Sequence, residues 1–102
     1  MRAILIRIKE RDMIEVNHDG SMESIASFLK TSSMYATQYM QRKAVMICPQ
    51  DAVVDTEYAV IDGHSIAANI LIIGVDAKGE DSALEIPERD IESNLTFVRR
   101  GV

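Results

Sequence analysis

Two histidines sit beside aspartates, in Asn17-His18-Asp19-Gly20 and Asp62-Gly63-His64-Ser65, and a His-Asp pair can bind a metal or move a proton. Neither has a Cys partner or a second His at a ligand spacing, so both read as solvated turn residues. The stretch Asp76-Ala77-Lys78-Gly79-Glu80-Asp81 crowds acids around a glycine as a calcium loop does. Lys78 occupies the third position, where that loop needs an acid, which leaves a polar hairpin tip. Ser32, Ser33 and Ser65 lack a GxSxG elbow, and Gly63 and Gly74 belong to no phosphate-binding loop. The lone Cys48, between Ile47 and Pro49, reads as a buried small hydrophobe. No catalytic residue, metal ligand or cofactor is expected. His64 and Asn69 remain as the polar contacts that a small ligand or nucleotide would use in a pocket between helix and sheet.

Any such site has to be positioned by one domain, because 102 residues is close to the commonest domain size. With 47 % hydrophobic and 26 % charged residues the composition is that of a globular chain, and no apolar stretch approaches membrane-spanning length. Arg2 and Arg7 interrupt the apolar N-terminal stretch, which a secretory signal would not tolerate, so a soluble protein of the cytoplasm is expected.

The run Asn69-Ile70-Leu71-Ile72-Ile73-Gly74-Val75-Asp76 has no polar alternation and reads as a central strand covered on both faces. Residues 3–9 place Ile4, Ile6 and Ile8 on one side and Leu5, Arg7 and Lys9 on the other, predicting a half-buried strand with a wet second face. Residues 13–16 complete a hairpin with it. A helix follows, capped by Asp19, Gly20 or Ser21, with Met22, Ile25, Ala26 and Leu29 as its apolar stripe. Residues 31–41 suit strand or helix, with Tyr35, Thr37 and Tyr39 in strand alternation. Further strands are expected over 44–48 and 57–61, the latter running into the hairpin dipeptide Asp62-Gly63. Residues 65–68 read as a brief turn or the start of the Asn69 strand. Lys78-Gly79 is a second turn, 83–86 a further strand, Pro87 the start of a short closing helix, and 96–98 an edge strand blunted by Arg99 and Arg100. The expected fold class is α+β: a mostly antiparallel sheet of about five to six strands, one main helix on one face, and a short C-terminal helix.

Charge is unevenly placed within the net of -5. Residues 1–11 carry Arg2, Arg7, Lys9 and Arg11 against Glu10, whereas 76–92 carry seven acids against Lys78 and Arg89. The expected interaction surface therefore comprises Arg7 and Lys9 with Tyr35 and Tyr39 on a neighbouring strand, and the acids Asp81 and Glu85. Basic residues interleaved with aromatics can also bind single-stranded nucleic acid, and an acidic array can mimic it. The overall acidity opposes the first, and mimicry needs a denser array.

The order of these segments, Arg2-Ala-Ile-Leu-Ile, Ser21-Met-Glu-Ser-Ile, the Asn69 run and Ser82-Ala-Leu84, resembles a group of short phage- and plasmid-borne proteins of unknown function. Gly74, Asp76 and Leu84 carry most of the resemblance, and residues 35–55 depart from it by lacking a Gly-rich linkage after the helix. The resemblance implies a mobile-element origin and no defined activity. A non-enzymatic accessory protein that binds or inhibits a host factor, or associates with itself, is the expected function. One helix shields one face of the Asn69 strand, so a homodimer, or a second helix over residues 31–41, is expected to cover the other.

Overall fold

The structure is a computed structural model, and it describes residues 1–40, 44–50 and 56–100. The connection expected to begin at Asp51 lies outside them. Among the described residues nine strands and two helices form: β1 (Arg2–Arg7), β2 (Asp12–Asn17), α1 (Met22–Leu29), β3 (Met34–Tyr39), β4 (Ala44–Pro49), β5 (Glu57–Ile61), β6 (His64–Ile66), β7 (Ile70–Val75), β8 (Asp81–Ser82), α2 (Glu88–Ser93) and β9 (Leu95–Arg99). The class is α+β with antiparallel pairing throughout, but the strands divide between two sheets. One is six-stranded, ordered β2-β1-β7-β4-β3 with β8 on β7, and the other is three-stranded, ordered β6-β5-β9.

β7 is the Asn69 strand, and it lies at the centre as expected. It pairs with β1 from Ala3↔Ile73 to Ile6↔Ile70 and with β4 from Ala44↔Gly74 to Ile47↔Leu71. Its side chains divide by the period of two. Leu71 and Ile73 join Ala3, Leu5 and Ile47 under Ile25 and Leu29 of α1. Ile70 and Ile72 join Ile4, Ile6, Met46 and Cys48 in a second cluster with Ala59 and Ile61 of β5, Ile66 of β6 and Ile91 of α2. The second face of β7 is therefore covered by the chain's own three-stranded sheet. Neither a second copy nor a helix over residues 31–41 is needed there, and those residues supply a strand, β3.

Three further expectations change. The second face of β1 is not wet, because Ala3 and Leu5 are buried beneath α1 and, of that face, only Arg7 reaches solvent within the strand. Residues 83–86 are not a strand, although Leu84 and Ile86 are core residues. Met22, at the start of the helical stripe, is 66 % exposed, because α1 buries only Ile25 and Leu29.

Local chemistry explains the joints. Ser21 caps α1, its hydroxyl accepting from the Ser24 amide at 3.1 Å. Asp62 and Gly63 have φ of 47° and 80°, the paired positive values of a type I′ turn, and join β5 to β6. The Asp76 carboxylate accepts the Lys78 and Glu80 amides at 2.8 and 3.0 Å. It closes its own loop as an Asx turn. Beyond the end of β1, β8 continues the β7 ladder through Gly74↔Ser82, and the Leu84 amide donates to the Arg2 carbonyl at 2.9 Å. The Arg2 guanidinium fixes this crossing by donating to the Leu84 and Ile86 carbonyls at 2.7 and 3.1 Å and to Glu15 at 2.6 Å.

Tyr39 was expected on the surface, but it is fully buried in the inter-sheet cluster. Its register partner Ala44 is also buried, so the strand's alternation turns this ring inward. Its hydroxyl has no hydrogen-bond partner of good geometry, and burial pushes the phenol up to about 12. A buried hydroxyl without a partner costs stability, so Tyr39→Phe should be neutral or should stabilise the fold by about 1 kcal/mol. Urea unfolding midpoints of the two proteins check this.

Candidate binding site

The interaction surface expected from Arg7 and Lys9 with Tyr35 and Tyr39 on a neighbouring strand does not assemble. β7 and β4 separate β1 from β3. Arg7 is held across the β1–β2 pair by Asp12, Nε to Oδ1 at 2.8 Å and Nη2 to Oδ2 at 2.5 Å. That pairing raises the Arg7 pKa and lowers the Asp12 pKa. Lys9 lies in the turn beyond β1 and is exposed.

The two residues expected to contact a small ligand are also apart. His64 is exposed at the start of β6. Asn69 uses its side-chain oxygen to accept the Ile8 amide at 3.0 Å, closing the end of the β1–β7 pair. It lines a cavity of about 370 Å³ with Lys9, Glu10, Lys30 and Glu57, and His64 is not part of that lining. Asp81 and Glu85 are exposed, and Glu85 lines a further depression of about 360 Å³ beside Gly74 and Asp76.

Tyr35, another of the expected surface residues, reaches a concave site of different character. It is 40 % exposed on β3 and lines a cleft of about 320 Å³ with Pro49, Tyr58, Ile66 and Arg100. Gln50, Ser65 and Ala67 complete the described lining. Strand pairing brings these segments together. Met34↔Pro49 and Tyr35↔Cys48 place the end of the large sheet on one side. Tyr58↔Val98, together with the Arg100 amide donating to the Thr56 carbonyl at 2.7 Å, places the end of the small sheet on the other. The Arg100 guanidinium lies 5.5 Å from the centre of the Tyr58 ring, within cation-π range. Gln50 is oriented by Ser33, whose hydroxyl donates to its Oε1 at 2.9 Å, so its amide nitrogen remains a donor. Cys48 behind Tyr35 is fully buried, and burial raises its thiol pKa, which makes it a poor nucleophile.

Sequence reasoning missed Tyr58 and Arg100. Arg100 read as a blunted strand edge and Tyr58 as one more strand residue. Only the pairing of β5 with β9 and the stacking of the two sheets bring them to Tyr35.

His18 also differs from expectation: it is 3 % exposed rather than solvated. Its Nδ1 accepts the Gly20 amide at 3.2 Å, which assigns the proton to Nε2, a buried donor without a partner. Burial lowers its pKa, as does the Met1 amino group, while Asp81 and Asp19 oppose the shift. The folded state therefore favours the neutral ring. Its contribution is fully present above the unfolded pKa of about 6.5 and is lost as pH falls from there through the lower folded value. His18→Asn keeps an acceptor for Gly20 and removes the titration. Its urea midpoint should fall less than the wild type's between pH 8 and about 5, the histidine titration range.

No protein family, curated protein or solved structure matches the chain.

Proposed function

We propose that the protein is a non-enzymatic interaction module, a phage or mobile-element accessory factor that binds or inhibits a host protein in the cytoplasm. The cleft between Tyr35 and Tyr58, with Arg100 at its side, is the observation that carries this reading. Tyr and Arg are the residue types that most often dominate binding energy. Concave sites where they flank an apolar floor, here Ile66 and Pro49, accept the anchoring side chain of a partner. The immobilised protein should retain a partner from host lysate that Tyr58→Ala and Arg100→Ala variants release. Recovery of the same proteins by wild type and by both variants refutes the reading.

A small ligand or nucleotide is the second reading, favoured by the cleft volume of about 320 Å³, which falls within the range of small-molecule pockets. A nucleotide panel should then raise the melting temperature. An unchanged melting temperature across the panel removes this reading.

A further inference from the structure

We propose that β3 is a self-association edge, through which two copies of this chain pair antiparallel across a two-fold axis perpendicular to the sheet. This surface is distinct from the cleft, although Tyr35 borders both.

The edges of the two sheets differ in how they are protected. A strand edge presents unpaired amides and carbonyls, and folded proteins normally blunt it with charge, proline or short length. β2 carries Asp12 and Glu15, held by Arg7 and Arg2. β6 is three residues long, and β9 ends in Arg99, which pairs with Glu57 at 3.3 Å. β3 has none of these devices. It runs for six residues, Met34-Tyr35-Ala36-Thr37-Gln38-Tyr39, without a charge or a proline. It pairs with β4 along its whole length, and among the described residues no strand lies on its other side. Tyr35, Ala36 and Gln38 are exposed.

The uncharged edge of β3 admits a second copy as the occupant. A chain of net charge -5 repels its own copies, so an edge without charge is where two of them can meet. A two-fold axis would set each acid of β2 near its own counterpart, whereas β3 brings no charge to the axis. The faces also match. Tyr35, Thr37 and Tyr39 pair with Cys48, Met46 and Ala44, all in the inter-sheet core, so these three point toward the small sheet. Ala36 and Gln38 point to the helix side. A perpendicular two-fold axis keeps each face continuous, and the register we assign centres the pairing on Thr37, within the exposed stretch, with Ala36 opposite Gln38 of the other copy. The Thr-Thr cross-strand pair that this register creates is favourable.

The register gives a charge-swap test on the full chain. Sedimentation equilibrium of the wild type should show a dimer that dissociates on dilution from about 100 µM. Ala36→Lys with Gln38→Lys in one chain sets lysine against lysine twice, and Ala36→Glu with Gln38→Glu does the same with acids. Each double variant should raise the dissociation constant by about tenfold or more. An equimolar mixture of the two should recover a heterodimer. Both substituted positions are exposed, so dilute samples should keep the wild-type circular dichroism and melting temperature, which separates lost pairing from lost folding. A wild type that is monomeric up to about 1 mM, a dimer that persists in both variants, or a mixture that stays monomeric overturns the proposal.

Discussion

Gly74→Ala should destabilise the fold by about 3 kcal/mol, at the upper end of overpacking costs. The reason is a crossing of backbone over backbone. A Cβ on Gly74 would lie 2.5 Å from the Ala83 carbonyl oxygen, 2.7 Å from its carbon and 2.8 Å from the Leu84 nitrogen. None of these atoms belongs to a side chain that can rotate away. Relief requires shifting residues 83–84, which would pull Leu84 from the core and break the hydrogen bonds of Leu84 and Ile86 to Arg2. Gly79→Ala is the control: Gly79 has φ of 81° but nothing within 4 Å of its Cβ position. Its cost should be only the left-handed backbone term, about 1 kcal/mol. Urea midpoints of the two variants measured side by side decide the matter. Equal losses would show that the crossing yields easily.

Ile72→Ala should cost about 4 kcal/mol, a large share of the roughly 5–15 kcal/mol that holds a domain together. Ile72 is fully buried and pairs with Ile4 on one side and Met46 on the other. It faces the inter-sheet cluster, where strands pack from above and below, so the lost atoms leave a cavity that hydrogen-bonded strands cannot close. Met22→Ala is the contrast, since that side chain is 66 % exposed and should change stability by less than about 0.5 kcal/mol. Thermal and urea unfolding report both. A loss below about 1 kcal/mol for Ile72→Ala would mean that the two sheets settle onto each other across the gap.

Much of the fold was legible in local pattern. Ile70 to Ile73 announced a doubly covered strand because no polar residue interrupts them, and Asp62-Gly63 announced a hairpin because both residues tolerate positive φ. Ser21 announced the start of α1 through its capping oxygen. The period of two in β1 was misread, since Arg7 made its second face look wet while Ala3 and Leu5 were the residues beneath α1. Tyr39 was misplaced because alternation states which residues share a face and not which face is covered.

The candidate site was less legible. Tyr35 was identified, but its partners Tyr58 and Arg100 come from β5 and the end of β9, far along the chain and without a motif. His64 and Asn69 drew attention as polar residues near turns, yet one is solvated and the other closes a strand pair. By itself the sequence determined strands, turns, caps and the uncharged character of β3, because these depend on neighbours within a few residues. Only the tertiary structure decided that the strands divide into two stacked sheets, that the second sheet covers β7, that Gly74 lies under a crossing backbone, and that two tyrosines and an arginine meet across a cleft. Those outcomes depend on which surfaces bury one another over long sequence separations, where many pairings satisfy the same local pattern and packing selects among them.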